Sequence, residues 1–271
     1  MDLLQAIVLG FVQGITEFLP ISSTAHLRIV PAMLGWEDPG AAFTAVTQLG
    51  TMAAILLYFR ADIARILVAW VRGLRNPEIR KTLDSRLGWY VLVGTIPIGI
   101  FGLAFRDQIE SGARNLQLIG TALIALGLVL LWAEHVSKRN RGIESLTMRD
   151  GILIGVAQAC ALVPGVSRSG ATITGGLFLG LDRTSAARYS FLLSIPAVIL
   201  SGLLELRHAT EGNGPGAGAT LIATLIAFVV GYASIALLLR FLSSHSTRIF
   251  VAYRVVLGVI VLALASSGTI S

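Results

Sequence analysis

The sequence predicts an all-α integral membrane protein, and three observations predict it. First, 55% of the 271 residues are hydrophobic, only 13% are charged, and mean hydropathy is +0.79. Soluble domains carry about 25% charged residues, so a chain this apolar needs lipid as its solvent. Second, uncharged runs long enough to span a bilayer alternate with short segments that hold most of the arginines. Third, two of the apolar runs are broken in the middle by Pro, Gly and hydroxyl residues in a similar order. The expected architecture is six transmembrane helices plus two re-entrant helix-loop-helix hairpins in an inverted-topology repeat. Residues 1–271 form a single membrane domain, with 1–145 as first repeat and 146–271 as second.

In chain order, residues 1–19 read as a helix stopped at Pro20, and Ser22, Ser23 or Thr24 can cap a second short helix to about Leu34. Each piece is shorter than the roughly 20 residues a span needs. A loop follows at 35–40 and a span at 41–59. The segment 60–86 reads as a long basic loop. A span at 87–105 has Pro97 as a kink, 106–114 is a short loop, and 116–133 is a third span. A second basic loop covers 134–150. The second half opens at Gly151 with a run broken at Pro164-Gly165 and resumes to about Leu181. A polar link at 182–188 leads to spans at 189–204, 221–239 and 250–265, joined by a Gly-rich loop at 205–218 and a basic loop at 240–248. No cleaved signal peptide is read at the start, because a basic n-region is missing and Gln13 and Glu17 interrupt the apolar stretch. Cys160 cannot form an intrachain disulfide and reads as a small buried hydrophobe.

The net charge of +6 would suggest a nucleic-acid partner in a soluble chain. Here the basic residues cluster between apolar runs, which marks topology and excludes that reading. The loops at 60–86, 134–150 and 240–248 are expected in the cytoplasm, and those at 106–114 and 205–218 outside. The run 151–181 then enters and leaves on one face, and so does 1–35. An offset of about 145 residues pairs Gly10 with Gly155, Gln13 with Gln158 and Ser22 with Ser167. Three spans per half invert the second repeat, and such folds place a site near the midplane where the repeats meet.

The two breaks hold the polar residues. The first reads Gln13-Gly14-Ile15-Thr16-Glu17-Phe18-Leu19-Pro20-Ile21-Ser22-Ser23-Thr24-Ala25-His26. The second reads Pro164-Gly165-Val166-Ser167-Arg168-Ser169-Gly170-Ala171-Thr172. Each starts a helix whose free N–H groups and partial positive charge suit a phosphate. Arg168 offers a planar fork for phosphate oxygens, or else pairs with Glu17 to join the repeats; both roles can hold at once. Gln13 and Glu17 share one helix face and suit metal ligation or proton handling, with an interhelical hydrogen bond as the plainer role for Gln13. Ser22, Ser23 and Thr24 are caps or phosphate ligands, as are Ser167 and Ser169. Thr172 lies one turn on and can donate to the same anion. His26, one turn after Ser23, is a base, a nucleophile or a structural imidazole. Arg28 and Arg254 read as snorkelling or lining residues.

These two stretches resemble the signatures of the undecaprenyl-pyrophosphate phosphatases, the bacitracin-resistance membrane phosphatases of bacteria, and the resemblance runs over essentially the whole chain. It implies a multi-pass enzyme of the bacterial inner membrane with a site open to the external face. The implied reaction removes the terminal phosphate of undecaprenyl diphosphate, which recycles the cell-wall lipid carrier and confers bacitracin resistance. It also implies a divalent cation, Mg²⁺ or Ca²⁺, with Glu17 as ligand. The first signature accepts Glu or Gln at its opening position; Gln13 is a neutral ligand, so the metal assignment leans on Glu17. The expected catalytic set is Glu17, Ser23, His26 and Arg168, with Ser23 as nucleophile and His26 as the alternative. Gln13, Ser22, Thr24, Ser167, Ser169 and Thr172 are expected to bind substrate. The expected partners are the polyprenyl diphosphate lipid and membrane lipids, with a homodimer left open. The rival class is a transporter or flippase for an anionic polyprenyl lipid, since inverted repeats and broken helices are also transporter features.

Overall fold

The computed structural model describes residues 1–112, 114–209 and 216–270, without the side chains of 41, 110, 111 and 201–209. The described residues are helical apart from loops, turns and one isolated bridge between Arg141 and Leu181. The helices are α1 (Leu3–Phe18), α2 (Ser23–Leu34), α3 (Gly40–Tyr58), α4 (Arg60–Gly73), α5 (Pro77–Arg80), α6 (Leu83–Ala104) and α7 (Arg106–Gly112). They continue as α8 (Leu116–Val136), α9 (Met148–Ala159), α10 (Arg168–Phe178), α11 (Arg183–Ala209), α12 (Ala217–Leu242) and α13 (Arg248–Ser266). Among the described residues, α6, α8, α12 and α13 are long and apolar enough to cross a membrane.

Local chemistry sets where the helices start. Asp2 and Gln5 form a capping box at α1, and Thr147 and Asp150 form another at α9. Thr82 caps α6 and Asn115 caps α8. α1 stops before Pro20 because a proline two residues on offers no N–H to continue it. Its 16 residues and the 12 of α2 rise about 24 and 18 Å, short of the roughly 30 Å hydrocarbon core. The 12-residue α9 and 11-residue α10 are short in the same way.

Small residues let the helices approach. α1 crosses α12 at Gly10, where a Cβ would stand 2.5 Å from the Ala223 carbonyl oxygen. α9 crosses α6 at Gly155, where a Cβ would stand 2.2 Å from the Gly94 carbonyl oxygen. α3 packs against α11 and α12, and α8 against α13. With lipid outside, such close backbone packing does the work that apolar burial does in water. The largest core cluster includes Phe18, Phe59 and Phe191, with Phe18 edge-on to Phe191 at 5.6 Å. Large apolar side chains such as Leu103, Trp132, Val229 and Leu237 point outward, as lipid requires.

Four expectations need correction. The basic segment 60–86 is not a loop: it folds into α4, α5 and the start of α6. Its charge hid an amphipathic pattern, with Ile66 buried while Leu67, Val68 and Val71 face out beside Arg65 and Arg72. The short loop at 106–114 contains α7, and the polar link at 182–188 already belongs to α11. Cys160 is exposed rather than buried, because the outside of a membrane protein is itself apolar. The Gly-rich loop expected at 205–218 lies partly outside the described residues.

Ion networks tie the ends of the helices that carry the basic segments. Buried Glu134, near the end of α8, accepts from Arg139 Nη1 at 2.8 Å, Arg183 Nε at 2.9 Å and Thr247 Oγ1 at 2.8 Å. Asp62 of α4 takes Arg188 of α11 at 2.7 Å. Arg141 donates to Asp150 at 2.7 Å and to the Leu179 carbonyl at 2.8 Å. Burial pushes the Asp150 carboxyl up, but Arg141 and Thr147 outweigh it and hold the group below the usual carboxylate value. Near the residue 106–114 segment Asp38 pairs with Arg28 and Arg114, and burial together with Arg28 pulls the Arg114 guanidinium down to about 10.

Candidate active site

The two chain breaks meet. Ser22, with φ +75°, caps α2, and its hydroxyl accepts from the Ala25 amide at 3.4 Å. Ser167, with φ +71°, caps α10 and accepts from the Gly170 amide at 3.1 Å. A left-handed serine is uncommon, and the same conformation at both caps turns both chains abruptly into a helix. Each cap claims the third amide of its helix, so the first-turn amides of Ser23, Thr24, Arg168 and Ser169 are left without intrahelical partners. Ser169 links the breaks by donating to the Leu19 carbonyl at 3.0 Å. The Ser167 hydroxyl lies 3.2 Å from Ser169 Oγ and is left to donate to it.

Glu17 is the centre of the constellation. Its Oε1 accepts from Arg168 Nη2 at 2.5 Å. Its Oε2 accepts from Ser23 Oγ at 2.6 Å and from Gln13 Nε2 at 3.1 Å. The pair is mostly enclosed, with side-chain exposures of 17% for Arg168 and 7% for Glu17. A cavity of about 560 Å³ opens beside it. Glu17, Ser22, Ser23, Thr24, Ser167 and Arg168 form its polar end. Apolar residues of α6, the 3₁₀ turn at Cys160–Leu162 and α11 form the rest, among them Ile98, Leu103, Leu162 and Ala197. Arg106 and Ile109 of α7 also line it. A small polar end and a long apolar wall suit a lipid with a charged head.

Four expected residues do not line this cavity. Gln13 lies behind Glu17, and its Oε1 is buried with no partner. Ser169 is spent on the link to Leu19. Thr172 donates to the Arg168 carbonyl at 2.8 Å and lies 2.5 Å from Ser190 Oγ, so its hydroxyl serves the packing of α10 on α11. His26 has both ring nitrogens engaged, Nδ1 with the Ser22 carbonyl at 2.7 Å and Nε2 with Tyr253 Oη at 2.7 Å. Three polar lining groups escaped the sequence reading, Gln48, Thr95 and Arg106. An amide inside the apolar span at 41–59 was a legible signal for Gln48; Thr95 carried none. Arg254 is neither snorkelling nor lining: it is fully buried between the two breaks.

Among the described residues no three His, Cys, Asp or Glu side chains gather as a metal site. The donor set that faces the cavity is the Glu17 carboxylate with its hard oxygens, the orphaned Gln13 Oε1 lying behind it. That set fits a Mg²⁺-type ion that draws its remaining ligands from water and a bound diphosphate, since such ions often use one or two carboxylates plus substrate phosphates.

The profile of a family described as bacitracin resistance protein BacA matches residues 6–260. An undecaprenyl-diphosphatase of Mycobacterium sp. (strain KMS) is 57% identical over 275 residues, covering 100% of this chain and 99% of the relative. One from Myxococcus xanthus (strain DK1622) is 56% identical over 272 residues, covering 100% and 92%. One from Thermobifida fusca (strain YX) is 51% identical over 271 residues, covering 100% and 93%.

Proposed function

Because the chain belongs to the bacitracin resistance protein BacA family, we propose that it is an undecaprenyl-diphosphate phosphatase. It is an integral membrane enzyme that converts undecaprenyl diphosphate to undecaprenyl phosphate and inorganic phosphate. This returns the cell-wall lipid carrier to use and gives resistance to bacitracin. The observation that carries the reading is one carboxylate, Glu17, holding a hydroxyl and a guanidinium on its two oxygens at the polar end of an apolar cavity.

The terminal phosphate lies against Arg168 and the first-turn amides of α2 and α10, while the polyprenyl chain follows the apolar wall. Phosphoryl transfer needs positioning and charge stabilisation above all, which such a cradle supplies. Ser23 Oγ attacks the terminal phosphorus and passes its proton to Glu17. The bridging P–O bond breaks, and the polyprenyl monophosphate leaves with the electron pair and takes that proton from Glu17. Water then attacks the phosphoserine and gives a proton to the freed Glu17 carboxylate; the P–Oγ bond breaks, inorganic phosphate leaves, and Ser23 Oγ recovers the proton from Glu17. Ser23 is favoured over His26 as nucleophile because both imidazole nitrogens are occupied. A divalent cation held by Glu17 would neutralise diphosphate charge.

The topology proposed is six spans and two re-entrant hairpins (α1–α2 and α9–α10) in two inverted repeats. Support comes from the short α1, α2, α9 and α10, from the matching cap conformations of Ser22 and Ser167, and from the parallel crossings at Gly10 and Gly155. The membrane is the bacterial inner membrane. The ends bearing the basic segments are tied shut by the Glu134 and Asp62 networks, whereas the cavity is lined by Arg106 and Ile109 of α7. This favours an opening to the external face. The test is phosphate release from polyprenyl diphosphate by purified protein in detergent, where a carrier would release none. Arg168→Ala should abolish turnover in protein that still elutes as a folded species. Near-normal turnover in that variant would remove the cradle from the mechanism.

A further inference from the structure

Among the described residues Arg254 of α13 is the largest fully buried side chain, and no carboxylate is among its hydrogen-bond partners. Its Nη1 donates to the carbonyls of Pro20 at 3.0 Å and Val166 at 3.1 Å. Its Nη2 donates to Gly165 at 3.0 Å and Ala122 at 3.3 Å, and its Nε to Leu123 at 3.1 Å. A guanidinium has five N–H groups, and here each has a carbonyl. Burying this cation without a counter-ion is costly, so its position calls for a role. The carbonyls explain it. Pro20 stands two residues before the cap Ser22; Gly165 and Val166 stand just before the cap Ser167. One side chain grips both approaches and anchors them to α8.

The neighbouring Tyr253 grips only one. The Ser22 carbonyl can only accept, so His26 Nδ1 carries the proton and Nε2 is the acceptor for Tyr253 O–H. The two rings stack, 7° from parallel with centroids 5.6 Å apart. Tyr253 thus holds His26, and His26 holds the carbonyl of the left-handed Ser22. Left-handed non-glycine residues persist only where their surroundings over-determine them.

We propose that Tyr253 and Arg254 are the positioning pair that sets the two helix N-termini against one another, Arg254 acting on both breaks and Tyr253, through His26, on the first alone. The consequence for turnover rests on the phosphatase reading above; the geometric claim does not. His26 on this account positions Ser22 and its neighbour Ser23 and does not itself meet the phosphate.

Hydrogen exchange by mass spectrometry on the full-length protein in detergent separates the two claims. Arg254→Lys offers three donors on one nitrogen in place of a five-point fork. It should speed exchange in peptides covering 18–26 and 164–172 and leave α6 and α12 as in the wild type. Tyr253→Phe should speed exchange in 18–26 only. In phosphate release, kcat should fall about 10- to 100-fold for Arg254→Lys, as expected for reacting groups displaced by an ångström or less. Tyr253→Phe should lose less, and KM should move less than threefold in both. The proposal is overturned if Arg254→Lys loosens one break alone or all helices evenly, if Tyr253→Phe loosens the second break as much as the first, or if loosened breaks leave kcat unchanged. If Arg254→Lys does not fold, Tyr253→Phe still decides the matter by which break it frees. Loosening in the stated pattern in a protein that never releases phosphate would sink the phosphatase reading and keep the clamp.

Discussion

Replacing Glu17 by Gln changes one oxygen to an amide and removes one charge at nearly constant volume. The structure says what that does. Oε1 meets Arg168 at 2.5 Å, and Oε2 meets Ser23 at 2.6 Å and Gln13 at 3.1 Å. A glutamine has one acceptor oxygen, so whichever way it turns, its NH₂ faces a donor. Breaking a buried ion pair from one side costs about 3–5 kcal/mol. Here Arg168 keeps 17% exposure to the cavity, so the lower end of that range, about 3 kcal/mol, is expected, visible as a thermal shift of several degrees. Loss of the proton acceptor for Ser23 should lower kcat by about 10²- to 10⁴-fold, or about 3–5 kcal/mol of barrier. The double variant Glu17→Arg with Arg168→Glu separates structure from chemistry. It restores a pair of opposite charges and should recover part of the thermal shift. It should recover no turnover, since Ser23 then faces a donor that cannot take its proton. The assay is phosphate release in detergent alongside thermal unfolding of the same samples. A Glu17→Gln variant with more than a tenth of wild-type kcat, or a charge swap that regains activity, refutes the assignment of Glu17 as base.

Three other outcomes follow from the same coordinates. Gly155→Ala would put a Cβ 2.2 Å from the Gly94 carbonyl, so α6 and α9 must part; a loss of about 1–3 kcal/mol is expected, read as a lower unfolding temperature, and an unchanged temperature contradicts the close crossing. Asp150, held below its ordinary value of about 3.9 by Arg141 and Thr147, contributes stability that is complete above that value and is lost as pH falls from it through the lower value of the folded state. Unfolding temperatures of wild type and Asp150→Asn should therefore converge as pH is lowered from 6 toward 3; a constant gap counts against the pairing. A chelator should suppress phosphate release, with Mg²⁺ or Ca²⁺ restoring it; full activity in chelator would remove the cation from the proposal.

Much of this site was legible in the sequence because its signals are local. Pro20, Ser22, Pro164 and Ser167 say where helices stop and start, and caps act over three or four residues. An intramembrane Glu17 and Arg168 each demand a partner, and each is the other's. What stayed hidden depends on tertiary distance or on the inverted polarity of the membrane. The chain order could not say that Arg254 reaches Pro20, 234 residues away, in place of water at a helix end. Nor could it say that His26 spends both nitrogens within the scaffold. Hydropathy cannot separate inside from outside in lipid, which is why Cys160 was placed on the wrong side of the surface. The density of arginines between 60 and 86 masked the helices there, because charge was read as loop where it marks one face of α4.

The 145-residue offset that pairs Ser22 with Ser167 also pairs Ser23 with Arg168. These are the first residues of α2 and α10, and both reach Glu17, Ser23 on one carboxylate oxygen and Arg168 on the other. On the proposed repeat, one backbone position has thus been used twice, once for a group that can attack and once for a cation that can stabilise the product of attack. Glu17 itself pairs with Leu162, which lines the same cavity as apolar wall. A duplicated scaffold with two like breaks would offer two weak anion sites. Giving one half the acid and hydroxyl and the other half the guanidinium makes a single site with direction, in which a headgroup has only one way to lie. That asymmetry between matched positions, more than the number of polar groups, is what makes the cavity suited to catalysis as well as to binding.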